Sequence, residues 1–181
     1  FACATDQQDI ALYLLDQGAD PLLSAKFSSY PHIYAIKNGN IVLLERLLNE
    51  HVDPDLSGYH ELALETAVII LSLKREHSSY SKKSEAVFQQ CINILLEHGA
   101  DVNKRVSEHG SSALIEAIAQ MDFENIQLFC AHGGDLNQKI TLDTSKTGKF
   151  QRKYIYPVHL AAINVMEKNH MPILDFLIQQ G

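Results

Sequence analysis

A chain of 181 residues with 46% hydrophobic content is long enough to bury the core of a single domain, and it contains no low-complexity tract. Its net charge of -7 argues against a general nucleic-acid binder, because neutralising phosphates demands a basic surface. No apolar run approaches the roughly 20 residues of a membrane-spanning helix, and the first residues lack the charged-then-apolar order of a signal peptide.

In chain order, the first landmark is LLDQGADP, Leu14 to Pro21. It recurs as LLNEHVDP (Leu47 to Pro54), LLEHGADVN (Leu95 to Asn103) and FCAHGGDLN (Phe129 to Asn137). Gly18 and His51 are 33 residues apart and Gly99 and Gly133 are 34 apart. The intervals from His51 to Gly99 and from Gly133 to Gly181 are each 48, so two repeats carry insertions. The boundaries fall at about 1–21, 22–54, 55–103, 104–137 and 138–181, all in one domain.

Each unit offers two apolar helical stretches separated by a turn, as in Ile33 to Lys37 and Ile41 to Leu48 around Asn38-Gly39-Asn40. One such unit cannot bury its apolar face alone, whereas stacked neighbours can. The glycine closing each second helix supplies a left-handed cap, and the Asp after it begins a turn; His51 in place of Gly should strain that cap slightly. Ala35, Leu47, Leu48, Ala67, Leu95, Leu114, Ala117, Leu128, Ala161 and Leu177 fall at repeated apolar places and are expected to be buried. In the third unit the extra residues lengthen both helices, Leu62 to Glu76 and Lys83 to His98, joined by His77 to Lys82. In the fifth, the alternation of Ile140 to Leu142 and of Phe150 to Tyr156 around Gly148 predicts a β-hairpin between about Lys139 and Ile155.

A second marker precedes each glycine. Its clearest copy is YPVHLAA (Tyr156 to Ala162), with weaker copies YPHIYAI (Tyr30 to Ile36), LALETAV (Leu62 to Val68) and SALIEAI (Ser112 to Ile118). Together with the GADVN-like helix ends, these strings resemble the TPLHxAA signature of the ankyrin-repeat family over essentially the whole chain. The resemblance implies an all-α fold: an ankyrin-repeat solenoid of paired antiparallel helices with short hairpin loops, here with one enlarged β-hairpin finger. In the family the signature His braces the loop. Only His159 keeps it; Ile33, Glu65 and Ile115 stand in the equivalent places. The first repeat lacks its beginning and the last stops on the helix-ending Gly181, as expected of a fragment cut from a longer protein.

Catalytic chemistry finds little support, and no enzyme activity, catalytic residue, metal or cofactor is expected. Cys130 and His132 are two apart on one helix and face different directions. SKTGKF (Ser145 to Phe150) lacks the leading glycine of a phosphate loop and precedes a strand. His98 and His132 sit where the helix C-terminus favours positive charge. Three widely spaced cysteines among apolar residues read as buried thiols of an intracellular, cytoplasmic protein.

The expected function is therefore a protein–protein interaction module that binds or recruits a partner, itself monomeric in isolation. By resemblance, contact is made by the hairpin tips, Phe27, Tyr59, His109 and Lys153, and by the concave face at Tyr34 and Glu116. The finger adds Lys146, Lys149, Phe150, Arg152 and Tyr154. Lys74, Arg75, Lys82, Lys83, Lys139, Lys146, Lys149, Arg152 and Lys153 are nine of the 15 basic residues and cluster in the two inserts, a segregation that can steer a partner. The alternatives are a substrate-docking region of a larger enzyme and an anionic-ligand or phosphoinositide binder. The irregular insertions are also similar in style to ankyrin-repeat effectors of intracellular bacteria, which would place the protein in a host cytosol.

Overall fold

The computed structural model describes residues 1–23, 29–58, 60–77, 83–107, 110–143, 152–168 and 171–180. The chain is predominantly helical. Helices α1 (Gln8–Asp16), α2 (Pro31–Lys37), α3 (Ile41–Asn49), α4 (Ala63–Glu76), α5 (Glu85–Glu97), α6 (Ala113–Gln120) and α7 (Phe123–Ala131) are followed by two strands and by α8 (Pro157–Lys168) and α9 (Met171–Gln180). The lengthened helices are α4 and α5, of 14 and 13 residues, against 7 for α2 and 9 for α3.

Local chemistry fixes where the helices begin and end. Pro31 stands at the first turn of α2, where its missing N–H costs nothing. Side chains of Asn40, Ser112 and Asp122 accept from the amides of Leu43, Ile115 and Asn125 and so cap α3, α6 and α7. The second helices end in one recurring pair of hydrogen bonds. Gly18 N–H donates to Leu15 O and Ala19 N–H to Leu14 O; the same pattern joins His51 and Val52 to Leu48 and Leu47, Gly99 and Ala100 to Leu96 and Leu95, and Gly133 and Gly134 to Cys130 and Phe129. The four closing residues have φ of +83°, +64°, +85° and +82°. Beyond each, an aspartate carboxylate accepts the amide two residues on: Asp20 from Leu22, Asp53 from Asp55, Asp101 from Asn103 and Asp135 from Asn137, each at 2.8 Å.

The helices pack in pairs, α2 on α3, α4 on α5, α6 on α7 and α8 on α9. Successive first helices touch (α2 on α4, α4 on α6, α6 on α8), as do the second helices α1, α3 and α5 in turn. One apolar core runs through the pairs, with Ile33, Leu47, Leu71, Phe88, Leu95, Leu114 and Phe129 fully buried. The loops are tied as well. Both carboxylate oxygens of Asp55 accept the Asp101 amide at 3.1 Å, and Asn103 donates to Gly133 O while accepting from the Asp135 amide. Gly58 lies so near the preceding loop that an added Cβ would fall 2.9 Å from Ser29 Cα.

Three expectations need correction. Leu128 is half-buried, packing on the core from its edge instead of entering it. Cys3 and Cys130 are also only partly buried, and Cys91 alone of the three thiols is enclosed. Burial pushes the Cys91 thiol up to about 12, which makes it a poor nucleophile. The third correction concerns Arg75, which does not project as a free cation. Its guanidinium lies 2.7 Å from Asp122 and 3.4 Å from Glu85.

Strand β1 (Ile140–Asp143) pairs antiparallel with β2 (Arg152–Ile155), in a register that sets Ile140 opposite Ile155, Leu142 opposite Lys153 and Asp143 opposite Arg152. Residues 144–151, including the Ser145 to Phe150 string, lie outside the described residues.

Candidate functional site

The first helices repeat a division of labour. On α2, Ile33, Ala35 and Ile36 are fully buried, leaving Tyr34 and Lys37 partly exposed; on α4 the partly exposed positions include Glu65, Thr66 and Ile69, and on α6 they are Glu116, Ala119 and Gln120. Spacing of three and four places each set on one stripe of its helix. Because α2, α4 and α6 are successive neighbours, the stripes lie side by side in a strip of mixed character.

A cavity of about 450 Å³ opens on this strip, lined by Lys37, His60, Glu61, Glu65, Thr66, Ile69 and Ile70. That volume falls within the range of ligand clefts, roughly 300–1,000 Å³. The Lys37 ammonium is 2.7 Å from both carboxylate oxygens of Glu61, and the Ser29 hydroxyl donates to the same carboxylate. Burial raises the proton affinity of Glu61, but the bonds from Lys37 and Ser29 outweigh it and hold the group below the usual carboxylate range. Lys37 also stands 5.6 Å from the centre of the Tyr34 ring.

Glu65 has the opposite fate. Burial, then the nearby charges of Glu116 and Glu61, push its carboxyl up to about 7. Among the described residues no hydrogen bond or salt bridge reaches that carboxylate, whereas Glu116 accepts from Gln120 Nε2 at 2.8 Å and from Ser111 at 3.5 Å. The helical register explains the placement. Glu65 occupies the position held by Ile33 in α2, Ile115 in α6 and His159 in α8. The two isoleucines are buried, and the His159 ring accepts the Tyr156 amide through Nδ1 at 3.3 Å. A carboxylate put there is drawn partly out of water with nothing to satisfy it.

Of the residues expected to bind a partner, Tyr34 and Glu116 stand on this strip, one on α2 and one on α6. Phe27, Tyr59, His109, Lys146, Lys149 and Phe150 lie outside the described residues. Arg152, Lys153 and Tyr154 are placed by the backbone register of β2, opposite Asp143, Leu142 and Thr141. Sequence reasoning missed Lys37, Glu61 and Glu65 as members of the site. The available signal was Glu65 itself, the one acidic residue among the four signature copies at a position otherwise Ile or His.

A smaller cavity of about 270 Å³ beside α8 and α9 is apolar except for Asn137 and His159, and the latter is already engaged by Tyr156. Among the described residues no group of three or more His, Cys, Asp or Glu is placed to hold a metal ion, and no helix is long and apolar enough to cross a membrane. Neither a protein-family model nor a curated protein sequence matches this chain.

Proposed function

We propose that this chain is an ankyrin-type repeat array whose task is to bind and position another protein. The observation that carries this reading is the strip along α2, α4 and α6, where adjoining helices leave Tyr34, Glu65, Thr66, Ile69 and Glu116 partly exposed and a cavity opens at Glu65, Thr66 and Ile69. The four identical helix closures and aspartate turns support the repeat assignment, since each unit is built by the same local bonds. In this reading the tips at Phe27, Tyr59 and His109 extend the contact along one edge. The strands bearing Arg152 and Lys153 form a basic finger with Lys146 and Lys149 that meets an acidic part of the partner. The partly or wholly buried free thiols suit a reducing, cytoplasmic setting.

The test compares partner capture by the intact chain with capture by a Tyr34→Ala/Glu116→Ala variant and a Phe27→Ala/Tyr59→Ala variant. A protein retained by the parent and lost by either variant, with melting temperature held, supports the reading. Capture that survives both variants and deletion of the finger overturns it.

A further inference from the structure

The cavity between α2 and α4 has an unbalanced set of charges. Among the described residues its only lysine, Lys37, is held by both oxygens of Glu61 and does not serve Glu65. Glu65 instead faces Glu61 on the segment before α4 and Glu116 on α6, so three carboxylates share one ammonium. The rest of the lining is of different character. Ile69 and Ile70, one turn further along α4, add hydrocarbon to the lining beside Thr66.

We propose that this cavity receives a basic side chain, Arg or Lys, from an extended segment of the protein partner. The methylene stem lies on Ile69 and Ile70, and the charged head meets Glu65 with Glu116 beyond it. Charge complementarity selects the occupant: a cation completes the pairing that Lys37 leaves open, whereas an anion would add to the repulsion among the carboxylates. A long side chain with an apolar stem and a charged tip matches a site lined by both isoleucines and carboxylates. A bare metal ion matches it poorly, since no cluster of three or more metal-ligating side chains is present among the described residues.

This assignment rests on the protein-binding reading above and narrows it to a chemical class of partner. It also has a pH signature. With its carboxyl titrating at about 7, Glu65 is largely protonated at pH 6 and largely ionised at pH 8. A cation that binds the ionised form is then held about tenfold more tightly at pH 8, by proton linkage. Among the described residues the other titratable or charged groups lining the cavity are Lys37 of α2 and His60 and Glu61 before α4, and Glu116 of α6 acts on Glu65 from beside it. His60 lines the same cavity, so a His60→Gln variant separates its effect from that of Glu65.

The experiment selects peptides from a phage-displayed random dodecapeptide library on the 181-residue chain. Selected peptides are then measured by fluorescence polarisation at pH 6 and pH 8. The expected result is a shared Arg or Lys whose replacement by citrulline or norleucine weakens binding at least tenfold. Glu65→Gln should cause a similar loss at pH 8 and flatten the pH dependence, while His60→Gln preserves it. Glu65→Gln removes an unpaired carboxylate, so its melting temperature should not fall. Peptides without a common basic residue, or binding indifferent to Glu65→Gln, overturn the inference. If no peptide binds while a partner is still captured through Tyr34 and Glu116, the inference falls and the protein-binding reading stands; if both tests fail, both fall.

Discussion

Arg75 Nη1 lies 2.7 Å from Asp122 Oδ2, joining the far end of α4 to the residue that caps α7. The carboxylate is the more constrained partner, with a side chain 6% exposed against 35% for the arginine. Asp122 also accepts from the Asn125 amide and from Asn125 Nδ2 at 2.6 Å, and Asn125 exchanges two hydrogen bonds with Gln89 of α5. The lengthened helices are thus tied into the next pair by a connected polar network.

Arg75→Ala should destabilise the protein by about 2 kcal/mol, between the value of an exposed pair and the 3–5 kcal/mol of a buried one, because Asp122 keeps its burial and loses its cation. Adding Asp122→Asn should recover part of that loss, since asparagine still caps α7 and carries no orphaned charge. Urea denaturation of the two single variants and the double variant measures the coupling. Equal stability of Arg75→Ala and the parent would show that the contact is incidental.

His51 adopts φ +64° at the helix closure where the other copies carry glycine. A left-handed backbone crowds its Cβ against the following carbonyl, and the side chain is exposed with no packing to lose. His51→Gly should therefore stabilise by up to about 1 kcal/mol, less whatever glycine adds to the freedom of the unfolded chain. Thermal melting checks the sign. Met121 adopts φ +60° at the end of α6 but is buried, so the same substitution there should lose packing and gain nothing.

His32 is fully buried on α2, and among the described residues both ring nitrogens lack a hydrogen-bond partner. Burial lowers its pKa to about 4 from an ordinary 6.5, against smaller opposing effects of the Leu56 backbone and Asp53. The folded state therefore binds fewer protons than the unfolded state between these values. Stability is complete above about pH 6.5 and falls as pH drops toward 4, by about 3 kcal/mol from this group. Denaturation curves at pH 7 and pH 4.5 for the parent and His32→Leu should diverge in slope, with the variant losing less. Parallel loss in both would remove His32 as the cause.

Glu65 acts in the opposite direction. Its folded pKa of about 7 exceeds the ordinary 4.5, so the folded state holds its proton longer and stability declines as pH rises from 4.5 to 7. Glu65→Gln should raise the melting temperature at pH 8 and leave it nearly unchanged at pH 4.5. A variant equally stabilised at both values would point to packing, not charge.

Replacing Leu142 to Lys153 by a short turn should leave cooperative unfolding intact, because β1 and β2 pair with each other and have no counterpart among the described residues of the other units. Replacing Lys146, Lys149, Arg152 and Lys153 with Ser should chiefly slow association, and high salt should shrink the difference by screening. Association kinetics at two salt concentrations measure this. Loss of cooperative folding on deletion would assign the strands to the core.

The sequence determined the local events. The recurrence of Gly or His followed two residues later by Asp specified the closures and turns, since those bonds depend on neighbouring residues alone. Apolar spacing likewise located the long helices, expected over Leu62 to Glu76 and Lys83 to His98 and found at Ala63–Glu76 and Glu85–Glu97. Stacking decided the electrostatics. Arg75 was read as a steering charge because it falls among the basic residues clustered in the two inserts, yet the packing of successive pairs brings Asp122 to its guanidinium. Glu65 could be seen as a departure from the repeat, but the rise in its proton affinity arises because packing draws it partly out of water and, after that, because α6 carries Glu116 to its side. Charges distant in the chain acquire their energies from separations and burial that only the tertiary fold sets.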